Sequence, residues 1–175
     1  MRRHLVLIGL PGAGKSTVGR LLAERLGTHC TDVDPILERA TGLSIAELFT
    51  TEGEPAFRER EHRAVIEALG LPPHVVAPGG GWAAQPRQLE ETSDRAVAIH
   101  LAVDPLVAAR RLAEAGMAAT RPLLAGPDPG ARLAELAAER AASYARAPVA
   151  VDVSRRTAEE TADLLMAIAK SKAGW

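Results

Sequence analysis

Eight residues, Gly9-Leu-Pro-Gly-Ala-Gly14-Lys15-Ser16, constrain this chain more than any other stretch. They fit the G-x-x-x-x-G-K-[S/T] pattern of a phosphate-binding loop. The flanks give the pattern mechanical meaning. Leu5-Val-Leu-Ile8 before it is a short apolar run that reads as a buried parallel strand. After it, Val18, Leu21, Leu22 and Leu26 recur at helical spacing, and Gly27 is a stop signal. Strand, glycine loop and helix N-terminus together aim the backbone N–H groups of Gly12, Ala13, Gly14, Lys15, Ser16 and Thr17 at nucleotide phosphates. Lys15 reaches the β- and γ-phosphates, and the Ser16 hydroxyl is a ligand for Mg²⁺.

Composition sharpens the reading of Lys15. Of 21 basic residues only Lys15, Lys170 and Lys172 are lysines, so Lys15 is the only one outside the C-terminal tail. A guanidinium does not replace a compact ammonium where phosphate oxygens converge. A length of 175 residues fits one domain with a real core, residues 1–175. A formal net charge of -1 gives no basic footprint for nucleic acid or an anionic membrane. The single cysteine, Cys30, excludes an internal disulfide and suits a reducing cytoplasm; it reads as a small packing residue. The start Met1-Arg-Arg-His4 superficially resembles a signal peptide, but its apolar run ends in the phosphate loop without a cleavage site. No run approaches the ~20 apolar residues of a membrane span.

Apolar runs recur at 74–77, 96–103 and 149–153, with a weaker one at 28–34, and helical patterns separate them. That is the rhythm of repeated βαβ units around a parallel sheet. Ser44-Ile-Ala-Glu47 and Thr157-Ala-Glu-Glu160 read as capping boxes. Pro55 and Pro105 suit first-turn positions, the latter after Asp104 as N-cap. Residues 34–71, charged and mostly helical, are a candidate substrate-binding insertion. Residues 116–130, rich in Gly, Ala and Pro, are a candidate lid with Arg121 at its tip.

Asp32-Val-Asp34 falls at the expected C-terminal end of the second strand. Carboxylates two apart share a strand face, one to hold Mg²⁺ through water and one to take a hydroxyl proton. The other reading is a helix-entry turn capped by Asp34 before Pro35. Arg58 and Glu61 are three apart on a helix, so Glu61 can orient Arg58 toward a buried anion. Gly79-Gly-Gly81 leaves no side chains between its backbone N–H groups and a ligand.

The ordered set Gly9–Thr17, Asp32-Val-Asp34, Phe57-Arg58, Gly79-Gly-Gly81, Arg121-Pro-Leu-Leu124 and Glu139-Arg140 resembles shikimate kinase, from residue 5 to about residue 170. The resemblance implies an α/β, three-layer P-loop kinase fold: a five-stranded parallel sheet flanked by helices, with a substrate-binding insertion and a lid. It implies transfer of the ATP γ-phosphate to the 3-hydroxyl of shikimate. Asp34 is then base or hydroxyl orienter, Arg58 and Arg140 grip the carboxylate, and Gly80 and Gly81 give backbone contacts. Arg121 meets the transferring phosphate, and Ser16 and Asp32 form the metal side. Adenine is expected between Arg110 or Arg111 and the loop 154–157, with Arg156 on that loop. One Mg²⁺, ATP and shikimate are the implied ligands, and a monomer is the expected state.

Three departures stand out. Trp82 follows the triple glycine where the family carries a small residue; it either lines the acceptor pocket or packs under residues 85–92. Pro35 follows Asp34, and the segment between Arg111 and Arg121 is longer than usual. Trp175, as the last residue, is expected to be mobile. Two other functions fit the phosphate loop: a kinase of another polyol acid such as gluconate, and a silent nucleotide-binding domain.

Overall fold

The computed structural model describes residues 1–117, 122–124 and 128–175. Its strands are β1 (His4–Ile8), β2 (Cys30–Asp32), β3 (Val75–Ala77), β4 (Ala96–Ala102) and β5 (Val149–Asp152). They form one parallel sheet in the order β2-β3-β1-β4-β5. The central strand explains itself from its sequence. Val6 and Ile8 enter the apolar core on one face, while Leu5 and Leu7 enter the core on the other. β4 repeats the alternation, with Ala98 on the first face and Val97, Ile99 and Leu101 on the second. A continuous apolar run is what a strand covered on both faces requires.

Helices α1 (Lys15–Leu26) and α7 (Ala158–Ala173) cover the second face through Val18, Leu22, Ala162 and Leu165. On the first face lie α2 (Val33–Thr41), α3 (Ile45–Ala68), α4 (Gln88–Thr92), α5 (Pro105–Glu114) and α6 (Pro129–Tyr144). Leu37, Leu48, Phe57, Leu89, Leu112 and Leu133 face the sheet from these helices. Each such side chain, once buried, contributes about 1.5–3 kcal/mol, so the two cores, not the short strands, hold the layers together.

The helix starts follow local chemistry. Ser44 with Glu47 and Thr157 with Glu160 each form a reciprocal capping box. Asp104 accepts from the N–H groups of Leu106 and Val107, with Pro105 in the first turn. Pro55 is tolerated inside α3 because the helix breaks at Gly53 (φ 80, ψ 163), so the proline opens a second segment. The two aspartates take the second of their two readings, a helix-entry turn, with Asp32 rather than Asp34 at the cap. β2 ends at Asp32 and α2 begins at Val33, so Asp32 occupies the cap position and Asp34 the first turn. The two carboxylates therefore do not share a strand face. Pro35 lacks an N–H that a first-turn residue does not need, which favours starting the helix upstream of it.

Two features lie at the end of the sheet away from the phosphate loop. His29, His74 and His4 stand at the starts of the neighbouring strands β2, β3 and β1, with His74 in the middle. The His74 ring stacks on His29 (centroids 4.1 Å) and meets His4 edge-on (4.8 Å). Its ring nitrogens bond the Pro72 carbonyl (2.9 Å) and the Thr31 hydroxyl (3.0 Å). Trp175 is docked rather than loose: its Nε1 donates to the Arg3 carbonyl at 3.0 Å, and Arg2 lies over its ring. Arg3 in turn donates from its backbone to the Ala173 carbonyl, which is why the last residue does not fray.

Candidate active site

The phosphate loop is shaped by glycines that nothing else could replace. At Gly9 (φ +147) a Cβ would sit 2.6 Å from the Leu101 carbonyl oxygen, and at Gly12 (φ +83) 2.5 Å from that of Ala108. Gly14 caps α1 in the left-handed region with no side-chain cap, so the first-turn N–H groups remain for a ligand. Lys15 is buried, and its Nζ donates to the carbonyls of Gly9 (2.9 Å) and Leu10 (3.1 Å). These groups border a cavity of about 340 Å³ lined by residues 12–17, Asp32, Asp34, Gly79, Gly80, Arg111 and Arg156. Arg111 bridges α5 to the β5–α7 loop, donating to the carbonyls of Val153 (2.7 Å) and Arg156 (3.1 Å). Arg110 is exposed and pairs with Glu114 instead, so Arg111 is the arginine that reaches the cavity.

Next to the loop, the three glycines act as a seam, and each lacks a side chain for a different reason. A Cβ on Gly79 would collide with the Glu61 carboxylate and come 3.4 Å from Asp34 Oδ1. On Gly80 it would press 2.8 Å from Pro11 and 3.1 Å from the Gly9 carbonyl. On Gly81 it would enter the Arg58 guanidinium. Close approach, not an unusual backbone angle, is what these positions require.

Arg58 and Glu61 form a buried pair at 2.6 Å, with side chains 8% and 0% exposed. Glu54, one turn earlier, accepts from Arg58 Nε (3.2 Å) and Nη2 (3.0 Å). Burial pushes the Glu61 carboxyl up, against the pull of Arg58, and Asp34 adds to the rise. On the arginine side burial is outweighed by Glu61 and Glu54, which hold the guanidinium charged. Phe49 and Phe57 flank it, their ring centroids 5.6 and 5.2 Å from the guanidinium carbon. Arg140, on α6, is also buried, and its Nη1 has no hydrogen-bond partner among the described residues. One turn on, Tyr144 donates from its hydroxyl to the Gly80 carbonyl at 2.6 Å.

A model of the shikimate kinase family matches residues 11–170. This chain belongs to the shikimate kinase family. A shikimate kinase of Thermobifida fusca is 44% identical over 161 residues, covering 91% of both chains. That of Caulobacter vibrioides is 43% identical over 150 residues, 86% of this chain and 74% of its own. Among solved structures, the shikimate kinase from Acinetobacter baumannii in complex with shikimate gives a TM-score of 0.89 at 32% identity, covering 98% of this chain and 96% of its own. A gluconokinase from Sinorhizobium meliloti 1021, at TM-score 0.61 and 20% identity, shares the fold alone.

In this member of the shikimate kinase family the expected residues fall into two groups. Gly12 through Thr17, Asp32, Asp34, Gly80, Arg111 and Arg156 share the cavity, whereas Arg58, Gly81 and Arg140 do not line it. Arg121 lies outside the described residues, as does part of the lid segment 116–130. Trp82 is fully buried, beside His62 (ring centroids 6.3 Å) in a short turn packed against α3, α4 and α6. It belongs to the same apolar core as Phe57, Leu89 and Leu136 and does not line the cavity. Cys30 is the packing residue expected: burial, then Asp32, pushes its thiol up to about 12. Glu54, Phe49 and Tyr144 are additions to the residues read from sequence. Only Glu54 had a local signal, four residues before Arg58 on one helix.

Proposed function

We infer that this chain transfers the γ-phosphoryl group of ATP to the 3-hydroxyl of shikimate. The observation that supports the reading is the glycine seam, which packs on Pro11 and Gly9 of the phosphate loop through Gly80 and on Asp34, Glu61 and Arg58 through Gly79 and Gly81. Shikimate carries one carboxylate and three hydroxyls, and two buried arginines with one aspartate match that inventory. Arg58 and Arg140 take the carboxylate, and the backbone of Gly80 and Gly81 closes the acceptor side. Asp34 orients the 3-hydroxyl and accepts its proton as the oxygen attacks the γ-phosphorus. The bond from that phosphorus to the β–γ bridging oxygen breaks, and its electron pair leaves with ADP.

Lys15 and Arg121 neutralise charge on the migrating group, with the N–H groups of residues 12–17 around the phosphates. Arg111 and Arg156 flank the adenine. Ser16 and Asp32 offer two hard oxygen donors on the same cavity. Two protein oxygens suit Mg²⁺, which fills its remaining positions from water and phosphate. Bound there, the ion would offset charge on the β- and γ-oxygens. Residues 34–71 and 116–130 serve as acceptor insertion and lid of a single domain, in a cytoplasmic monomer. Among the described residues no helix is long and apolar enough to cross a membrane.

A coupled ADP-release assay across shikimate, quinate and gluconate tests the reading. Turnover dependent on shikimate is expected. Equal or faster turnover on gluconate overturns it, and nucleotide binding without turnover on any acceptor identifies a silent domain.

A further inference from the structure

Tyr144 is the only tyrosine in the chain, is 3% exposed, and closes α6. Nothing in the phosphoryl-transfer chemistry calls for a phenol. Yet its hydroxyl makes a 2.6 Å hydrogen bond across 64 residues to the carbonyl of Gly80, the middle glycine of the seam. Its ring is fixed independently, stacked on His100 with centroids 4.6 Å apart. His100 belongs to β4 and pairs in register with Ile8, the residue before the phosphate loop. The phenol, carried by α6, is therefore braced against an inner strand of the sheet.

The consequence follows from peptide geometry. In a trans peptide the carbonyl of one residue and the N–H of the next point in opposite directions. Holding the Gly80 oxygen toward α6 turns the Gly81 N–H the other way. Glycines on both sides give this peptide little intrinsic resistance to rotation. Against the opposite flank, Gly80 packs on Pro11 and the Gly9 carbonyl, and Gly81 abuts Arg58. Arg140 lies one helical turn before Tyr144, within electrostatic reach of the same phenol, as are Arg58 and Glu61. One side chain thus bonds the Gly80 carbonyl and stands beside Arg140, two of the components proposed to hold the acceptor's carboxylate end.

We propose that Tyr144 is a positioning residue for the acceptor: its hydroxyl locks the Gly80–Gly81 peptide and fixes the spacing between that backbone and Arg140. The proposal rests on the shikimate reading above. Tyr144→Phe keeps the ring, its stack on His100 and its burial, and removes only the lock. Loss of one neutral hydrogen bond corresponds to roughly a three- to tenfold effect. The KM for shikimate should rise by that factor, with the KM for ATP unchanged and kcat altered less than the acceptor KM. A merely structural tyrosine would lower the melting temperature without separating the two KM values.

The wild-type chain is the reference. If it does not turn over shikimate, the functional reading fails. If it does and Tyr144→Phe retains the wild-type acceptor KM, the lock fails. A measurement on the wild type decides if the variant does not fold. With isotopically labelled tyrosine the chain gives one tyrosine ring signal, which shikimate should move saturably and ATP alone should leave in place. A signal indifferent to shikimate overturns the proposal.

Discussion

The two halves of the site are built by opposite means. The nucleotide half is mostly backbone: six consecutive residues, 12–17, line the cavity, and the glycines at 9, 12 and 14 supply its shape. The acceptor half is mostly side chain, drawn from α2, α3 and α6, and packs against the first half along Gly79–Gly81. A phosphate presents the same oxygens in every nucleotide, so a backbone nest serves it without side-chain variety. A carboxylate attached to a ring of hydroxyls must be told from other polyol acids, which takes guanidinium forks in fixed places. Recognition of the common part is local in sequence. Recognition of the particular part is long-range.

The largest test of this contrast is Lys15→Met. It removes the side-chain charge set within the phosphate loop itself and should lower kcat on the order of 100-fold, with the fold intact. Wild-type turnover in steady-state assays would break the assignment.

Arg58 and Arg140 sharpen the contrast within the acceptor half. Both alanine variants should raise the KM for shikimate about tenfold or more and spare that for ATP. Their stabilities should diverge. Arg58→Ala strands the buried Glu61 carboxylate, and breaking such a pair costs about 3–5 kcal/mol. Arg140→Ala strands no carboxylate, since Arg140 forms no ion pair among the described residues and its Nη1 is unpaired, so its melting temperature should fall less. Equal losses in both would mean the arginines are not differently paired.

Gly80→Ala probes the seam. A methyl group 2.8 Å from Pro11 overpacks both sides at a cost of about 1–3 kcal/mol. The KM values for shikimate and ATP should therefore rise together, unlike every other variant here. A change confined to one substrate would show that the halves are not joined there.

The smallest effect concerns neither half. Burial lowers the pKa of His4 from 6.5, with His74 and Arg95 pushing the same way and two backbone hydrogen bonds opposing. His74 is lowered by burial and by His29, against the Pro72 carbonyl. Both are neutral in the fold while the unfolded chain takes up protons near 6.5. Stability should be level above that pH and decline below it toward the lower folded values. Thermal melts between about pH 8 and about pH 5 check the sign, and a melting temperature that rises on acidification would refute it.

What was legible in the sequence follows the same division. The phosphate loop spans eight adjacent residues, and the strands announce themselves as apolar runs, so both could be read directly. The capping boxes at Ser44 and Thr157 were equally local. Arg58 stood out by its spacing to Glu61, but Arg140 was found through resemblance, because no spacing rule connects α3 to α6. Tyr144 escaped notice since its partner lies 64 residues away. The strand boundary at Asp32 stayed open between two readings because apolarity fades there while proline and helix-entry preferences take over.

Trp175 carries a consequence for the order of events in folding. Its bond to Arg3 joins residues 172 apart and so closes a loop of nearly the whole chain. Closing so large a loop costs the most entropy when the rest is unstructured, so this contact belongs after the main barrier. Trp175→Ala should then steepen escape from the native state, raising the unfolding rate while leaving the refolding rate in place. The C-terminal indole is a latch on the finished molecule, measured by how long the fold lasts rather than by how fast it forms.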